Sequence, residues 1–448
     1  MKRIFIFLLI LSYSFLLAQE KDENQQDYTD IPSRYGYPIN RSPEVSFNYF
    51  LDFSGIDWSP QLYLAAAIQN DYLQFTRRED SFYSEYEITF TLRNKNETVV
   101  SKTWSNKSQL QDFDLTNSKR DFQYHTYLID FKKEEAPELK PGEYELIIVV
   151  NDMLSSREYK NKRKIIVKET ELKREIKEPL YTETTFLKGN QLQKTLPEDL
   201  SATYKLLDFN EPYTAFARFK WPDADSLSIN VRLYKKDKDQ KSLMAQGFVD
   251  PKINEDSTVC MSYLFPYEQM DEGDYSVRFT VESGNKNFEI ERDFSILWFT
   301  KPLYLYKVDL AIRPMKYLIS PAEMEKVKDM NLDELKKWFD DYWKKRDPTP
   351  ETVYNELMTE FYVRVTEAVR KYSTRFKEGW QTDRGMVLLL YGEPTEVENR
   401  KYAANSIPHI IWKYKQDGAD QVFTFVDKDQ TGEFTLIDKS EEDAENEK

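Results

Sequence analysis

Five acidic and basic residues in the C-terminal part of this sequence are candidates for catalysis or ligand binding. Arg346 and Asp347 are adjacent, and Asp383, Arg384 and Glu393 follow further along the chain. Two carboxylates can act as acid and base on a glycosidic bond, which makes Asp383 and Glu393 the candidate catalytic residues. Arginine–carboxylate pairs also fix turns without any catalysis. The sequence favours a structural ion-pair network and leaves a catalytic or ligand-binding cleft as the alternative.

A second acidic stretch, DKDQTGE, has the spacing of a calcium loop. Asp427, Asp429 and Thr431 fall at the first, third and fifth positions, Gly432 at the sixth and Asp438 at the twelfth. The flanking residues alternate as in β-strands rather than helices, and Asp438 replaces the usual glutamate. We therefore expect a hairpin turn here, with no metal and no other cofactor in the protein.

Cysteine and histidine are scarce. Cys260 is the only cysteine, which excludes an intrachain disulfide, and its apolar surroundings predict a buried, inert thiol. The two histidines, His125 and His409, lie in strand-like runs where a histidine at a sheet edge, or one with its hydrogen bonds satisfied, is expected rather than a catalytic base. This composition excludes most zinc sites and most Ser-His or Cys-His chemistry. The net charge of -15 argues against nucleic acid as a partner.

The first residues have the pattern of an export signal. Lys2 and Arg3 precede an apolar run, 4–17, that is too short for a comfortable membrane span. This predicts a secretory signal peptide over 1–18 and a flexible leader over 19–44, with an uncleaved anchor as the alternative. We expect an exported protein in the periplasm or at the cell surface, with no membrane span after signal cleavage.

The chain after the leader predicts a repeated β module. Apolar and polar residues alternate through 86–92 and again through 227–233, as in strands with one buried face. Each copy later has a Gly-x-Tyr strand start, at Gly142 and at Gly273, followed by a turn and a last strand. This pattern favours two tandem immunoglobulin- or fibronectin-like sandwiches, 45–170 and 201–300, joined by a connection over 171–200.

Helix signals replace the strand pattern after Trp298. Ser320 with Pro321 caps one helix, Asn331 starts a second, and Thr349 with Pro350 is expected to start a third. Strands are then predicted at MVLLLY, HIIWKY, QVFTFV and EFTLI. The order indicates a compact α+β domain over 301–438, followed by a disordered acidic tail over 439–448. Trp380 is expected to anchor its core where the helices give way to the sheet.

Gly379, Trp380, Gln381, Thr382 and Asp383 spell the sequence Gly-Trp-x-Thr-Asp, and the chain resembles the GWxTD domain proteins from roughly Asp309 to Asp438. A departure is Thr395, since the family more often has an Asp after the Pro. The resemblance implies an exported bacterial protein of Bacteroidota-like lineages, with upstream β-sandwiches and no established molecular activity. The other matching residues are Arg346, Asp347, Pro348, Asn355, Glu356, Tyr362, Arg364, Arg384, Gly385, Tyr391, Gly392, Glu393, Pro394 and Trp412.

These observations predict a non-enzymatic envelope protein, a structural or protein-interaction module in which the sandwiches act as spacers or binding surfaces for unknown envelope proteins. An envelope hydrolase with a site around Asp383 is one alternative, and a glycan-binding protein is another. Buried reciprocal pairs among the acidic and basic residues would favour the module. An open cleft with an unpaired carboxylate would favour the hydrolase, and exposed coplanar aromatic rings would favour glycan binding.

Overall fold

The computed structural model describes residues 43–443, except 54–58, 96, 169–179, 182–183, 193, 222–226, 239, 255–256, 285, 402–406 and 416–418. The predicted signal peptide, all but the last two residues of the leader, and residues 444–448 lie outside this range. Two compact units form the chain: the first runs to Tyr267 and includes Glu272–Phe299, and the second comprises Glu268–Asp271 and the residues from Thr300 onward. No helix among the described residues is long and apolar enough to cross a membrane.

The first β region is built from two sheets that enclose one core. A three-stranded sheet has the order β1-β2-β6, and the strands β3, β4, β5, β7 and β8 form the other sheet around β4. The predicted alternation of 86–92 is confirmed, because Tyr86, Ile88, Phe90 and Leu92 are all buried in this core. The elements are β1 Val45–Asp52, β2 Gln61–Gln69, β3 Thr76–Arg78, β4 Ser81–Arg93, β5 Thr98–Leu110, α1 Phe113–Thr116, β6 Phe122–Asp130, β7 Gly142–Asp152 and β8 Glu158–Val167.

The second β region again has two sheets. One has the order β10-β12-β16-β15, with β9 paired to β12, and the other has the order β11-β18-β17-β13-β14. Its strands are β9 Leu180–Tyr181, β10 Thr185–Lys188, β11 Leu206–Asp208, β12 Tyr213–Lys220, β13 Ser228–Asp237, β14 Gln240–Phe248, β15 Lys252–Ile253, β16 Thr258–Leu264, β17 Gly273–Ser283 and β18 Lys286–Leu297. β9 and β10 lie inside 171–200, so part of that expected connection belongs to the sheet.

The two β regions repeat one strand succession. The order β8-β7-β4-β5 in the first matches β18-β17-β13-β14 in the second. Gly142 and Gly273 begin the corresponding strands β7 and β17 with φ of 151° and 147°, a backbone conformation that favours glycine. Tyr144 then reaches back, and its hydroxyl is hydrogen-bonded to both the N–H and the carbonyl of Lys140 at 2.9 Å. This corner explains the Gly-x-Tyr pattern in the first copy.

The two β regions share a buried interface. Phe50 on β1 and Phe216 on β12 pack edge to face at 6.0 Å, in an apolar cluster that also contains Cys260. The predicted burial of that cysteine is confirmed. Asp52 on β1 and Arg218 on β12 form an ion pair across this interface, and both side chains are buried. The sheets β1-β2-β6 and β10-β12-β16-β15 are therefore packed face to face.

Breaking the Asp52–Arg218 pair is expected to destabilise the first unit strongly, because the remaining charge is left buried. We predict a loss of about 3–5 kcal/mol in the free energy of unfolding for Arg218→Met, measured by urea denaturation. The double variant with Asp52→Leu should recover part of that loss. The exposed pair Lys328–Glu325 supplies the control, and Lys328→Met should cost less than about 1 kcal/mol. Equal losses for Arg218→Met and Lys328→Met would contradict the assignment.

Helices precede an antiparallel sheet in the second unit. Its four-stranded sheet has the order β19-β20-β21-β22, and helix and sheet residues share one core. The strands predicted at HIIWKY, QVFTFV and EFTLI are confirmed by β20, β21 and β22. The elements are α2 Val308–Ala311, α3 Pro321–Lys328, α4 Leu332–Lys344, α5 Glu356–Tyr372, α6 Asp383–Tyr391, β19 Glu396–Arg400, β20 His409–Tyr414, β21 Ala419–Val426 and β22 Thr435–Asp443.

The strand predicted at MVLLLY is wrong, since these residues form the C-terminal part of helix α6. A short apolar run fits a buried helix as well as a strand, so the flanking residues decide. Thr382 caps the helix start, and Gly392, with φ of 79°, ends it. Leu388 and Leu389 are both buried, as in a helix that is enclosed by its neighbours.

Two further boundaries differ from the prediction. Helix α5 begins at Glu356 rather than near Thr349, because the side chain of Asn355 caps it by accepting the N–H of Met358. The same side chain donates to the carbonyl of Trp343, which links α4 to α5. Strand β22 continues to Asp443, so residues 439–443 of the predicted disordered tail are paired with β21.

Candidate functional site

The signature segment, which we define as Glu378–Pro394, is built around a buried tryptophan. Trp380 lies in the 3-10 turn Gly379–Gln381 and is only 4% exposed. Its indole N–H donates to Glu378 Oε2 and to the hydroxyl of Tyr304, each at 2.8 Å. Tyr304 in turn donates to the same oxygen of Glu378. The tryptophan thus acts as the core anchor that its sequence context predicted, with two partners that the sequence did not indicate.

Two glycines allow the turn to fit between helices α5 and α6. A Cβ at position 379 would lie 1.7 Å from the carbonyl oxygen of Ala368 in α5. A Cβ at position 385 would lie 1.9 Å from the carbonyl oxygen of Gly379. Neither position has room for a side chain. Ala368 is the matching small residue on α5, and a small residue within an apolar helix face is the signal that could have indicated this approach.

Thr382 and Asp383 fasten the start of α6. The Thr382 hydroxyl accepts the N–H of Gly385 at 3.1 Å and donates to the carbonyl of Gly379 at 2.7 Å. Asp383 Oδ2 accepts the N–H of Leu436 at 2.8 Å, which ties α6 to β22. A carboxylate in the first turn also complements the helix dipole. The candidate acid Asp383 therefore has a local structural partner.

Arg384 lies between aromatic rings. Its guanidinium carbon is 4.7 Å from the ring centroids of both Tyr372 and Phe434. Burial lowers the pKa of the Arg384 guanidinium from its ordinary value, and the neighbouring Tyr372 and Asp427 oppose that shift. Its Nε is buried without a hydrogen-bond partner in the part of the chain that the structure describes. The cation is held by ring faces instead of by a carboxylate fork.

The end of α6 explains the Tyr-Gly-x-Pro block. Arg364 on α5 donates to the carbonyl of Leu389 at 3.2 Å, and it lies against Gly392, where a Cβ would be 3.2 Å from its guanidinium. The buried hydroxyl of Tyr414 donates to the carbonyl of Gly392 at 2.9 Å. Tyr391 packs on the rings of Tyr414 and Phe423. These contacts join α5, α6 and the sheet, and Pro394 follows in the link to β19.

The five predicted charged residues do not form the expected ion-pair network. Among the described residues, none of the five pairs with another. Arg346 lies over the ring of Tyr342, and Asp347 accepts the N–H of Thr349. Glu393 pairs with Lys371 on the surface at 2.6 Å. Each charge has its own local partner, so the structure brings neither reciprocal forks nor a shared cleft to these positions.

The remaining predicted residues have structural neighbours. Pro348 lies in the exposed turn after α4, and Trp412 on β20 is buried against Tyr372 and Phe425. In the calcium-like stretch, the two carboxylate oxygens of Asp427 accept the N–H groups of Thr431 and Gly432. Asp429 and Thr431 are exposed. The stretch is a hairpin turn closed by Asp427, as the flanking alternation predicted.

The two histidines also have partners. His125 lies on β6, which is an edge strand of its sheet, and its Nε2 is 2.7 Å from the hydroxyl of Tyr86. Burial lowers the pKa of His125. His409 begins β20, and its Nδ1 is 2.9 Å from the carbonyl oxygen of Ile407. Both are hydrogen-bonded, as predicted.

Residues 297–445 match the family model of the GWxTD domain. The chain is a GWxTD domain-containing protein. No curated protein matches it. Among solved structures, it is similar to an ICAM-5 D1–D4 ectodomain fragment at 10% identity, over 86% of this chain and 82% of the other, with a TM-score of 0.16. A TM-score this low indicates no shared fold over the matched length.

Alanine at either signature glycine is expected to destabilise the GWxTD domain, because backbone atoms occupy the place of the Cβ. We predict that Gly379→Ala and Gly385→Ala each lower the free energy of unfolding by about 3 kcal/mol, measured by chemical denaturation. The matched control is Gly247→Ala in β14, where the Cβ meets nothing within 4 Å. It should change stability by less than about 1 kcal/mol. Signature variants as stable as the control would refute the close packing.

Thr382 offers a test of the helix cap. Thr382→Val removes the hydroxyl that both accepts and donates, and we expect it to cost about 1–2 kcal/mol of folding free energy. Thr382→Ser keeps the hydroxyl and should retain most of that stability. The measurement is thermal and urea unfolding of both variants. A loss in Thr382→Ser, with Thr382→Val as stable as the parent, would show that the methyl group and not the cap is what the site requires.

Proposed function

We propose that this protein is an exported component of the bacterial cell envelope that acts through protein interaction rather than catalysis. In this proposal each β region is an immunoglobulin- or fibronectin-like sandwich, and the GWxTD domain is the recognition module. The apolar run behind Lys2 and Arg3 supports export. The repeated strand succession and the Tyr144 corner support the sandwiches. The packed interface of the β regions favours a rigid body over a flexible spacer.

The main support for the proposal is that the signature residues are buried, whereas a large aromatic residue just before the signature is exposed. Trp380, Thr382 and Asp383 are turned into the fold and have internal partners. Just before them, Phe376 is 87% exposed. It lies in an ordered turn, in which Thr374 Oγ1 accepts the N–H groups of Phe376 and Lys377. An exposed aromatic side chain on an ordered turn is the kind of residue that anchors protein interfaces.

The neighbours of Phe376 add to this surface. Arg375 lies 5.6 Å from the Phe376 ring centroid, and Lys377 pairs with Glu433 on the hairpin between β21 and β22. An exposed aromatic residue with adjacent arginine resembles the centre of many interfaces, where aromatic and arginine residues are enriched. The turn is attached to both a helix and the hairpin, so it can present Phe376 with little loss of conformational entropy on binding.

The two alternative functions receive less support. The candidate acids Asp383 and Glu393 are engaged separately, one by a backbone N–H and the other by Lys371. On the first β region, Trp104 and Tyr127 stack on each other at 4.2 Å, with their rings packed against the core. Each ring therefore covers a face of the other, whereas a sugar-binding platform needs solvent-exposed ring faces.

A photo-crosslinking experiment tests the proposal. A photoreactive phenylalanine analogue at position 376 is expected to capture a reproducible envelope protein in intact cells, and the same analogue at exposed Leu332 should not. In a pull-down from envelope extract, Phe376→Ala should abolish recovery of that protein. The melting temperature of the variant should be unchanged, because the side chain makes little contact with the fold. Equal yields at both positions would count against a recognition surface at Phe376.

The same protein preparation decides the enzymatic alternative. Asp383→Asn keeps an oxygen that can accept the N–H of Leu436 but removes the charge that acid–base chemistry requires. We expect no release of soluble products from envelope glycan by either the parent protein or Asp383→Asn. Product release by the parent that is lost in Asp383→Asn, with melting unchanged, would overturn the interaction proposal in favour of a hydrolase.

A further inference from the structure

Two cations of the GWxTD domain converge on one buried aromatic ring. The guanidinium carbon of Arg384 lies 4.7 Å from the ring centroid of Phe434, and Nζ of Lys401 lies 5.3 Å from the same centroid. Their charges are therefore within about 10 Å of each other, which is close to the Debye length in physiological salt. At that separation the two positive charges repel each other, and a bound anion would relieve the repulsion.

The acidic side chains near this ring have partners of their own. Asp383 accepts a backbone N–H of β22, Asp427 accepts two backbone N–H groups of its turn, and Glu433 pairs with a lysine. Asp427 favours the charged form of Arg384 through its field, but Arg384 Nε has no hydrogen-bond partner in the described part of the chain. The positive charge at the ring is thus only partly compensated by the fold.

The ring is connected to the exposed turn that presents Phe376. Lys377 on that turn pairs with Glu433, which directly precedes Phe434 in the chain. On the other side of Phe376, Arg375 is exposed, and its guanidinium carbon lies 5.6 Å from the Phe376 ring centroid. The cations around the buried ring and the exposed aromatic side chain are therefore parts of one continuous surface.

The cationic patch, which we define as Arg375, Arg384 and Lys401, has a charge opposite to that of the chain. The chain has a net charge of -15. The exposed hairpin tip beside the patch adds Lys428 and Asp429, whose charges cancel. A local positive charge on an acidic protein attracts anions to that place and not to the rest of the surface.

The size of the patch favours a short anionic segment over an extended polyanion. A membrane surface or a nucleic acid would meet the field of the whole chain, which repels it. A short acidic segment meets only the local field, because salt screens charges that are more than about 10 Å away. The exposed Phe376 adds an apolar contact of the kind that protein partners use. Charge complementarity thus favours a protein partner with acidic side chains.

We propose that the partner of the Phe376 surface carries a short acidic segment, whose aspartate or glutamate side chains bind the cationic patch while an apolar side chain packs on Phe376. Arginine can offer two parallel N–H donors to a carboxylate, and lysine offers a compact charge. Such complementarity mainly speeds association and sets specificity. This inference rests on the proposed interaction function and adds to it the chemistry of the partner.

Fluorescence anisotropy of a defined probe with the full mature chain tests the inference. The probe is a labelled eight-residue peptide that alternates glutamate and leucine, and the control peptide has glutamine in place of glutamate. We expect the glutamate peptide to bind at low salt and to bind at least about tenfold more weakly at high salt, because salt screens the attraction. The glutamine peptide should bind at least about tenfold more weakly than the glutamate peptide.

Lys401→Glu and Arg375→Glu should each weaken binding of the glutamate peptide about three- to tenfold, since each replaces an attraction by a repulsion. Arg384→Met removes the charge between the rings and should weaken binding as well. The matched control is Lys326→Glu, the same charge change at an exposed position of α3 in the same domain, which should bind as the parent does. Melting temperatures verify that each variant is folded.

Failure of this inference can be distinguished from failure of the interaction function. No binding of the glutamate peptide, equal binding of the glutamine peptide, equal losses in Lys401→Glu and Lys326→Glu, or binding to phosphatidylglycerol vesicles instead of the peptide would each overturn the inference, whatever is captured at position 376. Charge-dependent binding of the peptide without any capture at position 376 would support the cationic patch and contradict the interaction function.

Discussion

The carbonyl oxygen of Ala368 lies 1.7 Å from where a Cβ at position 379 would stand, so helix α5 and the signature turn meet backbone to backbone. The condition recurs at Gly385 in α6, where a Cβ would lie 1.9 Å from the carbonyl oxygen of Gly379. The turn is thereby a thin layer between two helices. The position of Trp380 beside Tyr304 and Glu378, the Thr382 cap and the reach of Asp383 to β22 all depend on this approach. The residues of the GWxTD signature are therefore the ones that this packing arrangement requires.

Polar groups serve a related purpose in the first unit, where they join layers that are otherwise apolar. Asp52 and Arg218 pair across the interface of the two β regions, and Asn48 donates to the carbonyl of Ser201 at 2.7 Å nearby. Such buried contacts constrain how two sheets are aligned, because a shifted alignment would leave charges and amides without partners.

Strands were easier to predict than the site, and the physics explains the difference. The alternation over 86–92 indicates a strand and no other element, because a period of two residues places one face of a strand in the core. The run MVLLLY has no such period, and its helical state follows from Thr382 and Gly392 at its ends. The role of Trp380 as an anchor was predictable from its size. Its partner Tyr304 was not, because a contact between residues so distant in sequence leaves no local pattern. Equally, the sequence predicted an ion-pair network among the five charged residues, whereas Arg346 lies over the ring of Tyr342 and Asp347 accepts the N–H of Thr349.

We conclude from these contacts that the signature is a permanently packed layer and not a mobile catalytic loop. Native-state hydrogen exchange at the Trp380 indole N–H and the Gly385 amide tests it most directly, because both groups donate to buried partners. We expect both groups to exchange only through global unfolding of the GWxTD domain, with the same opening free energy as the central amides of α5. Fast exchange by local opening, at rates typical of surface loops while α5 stays protected, would contradict it.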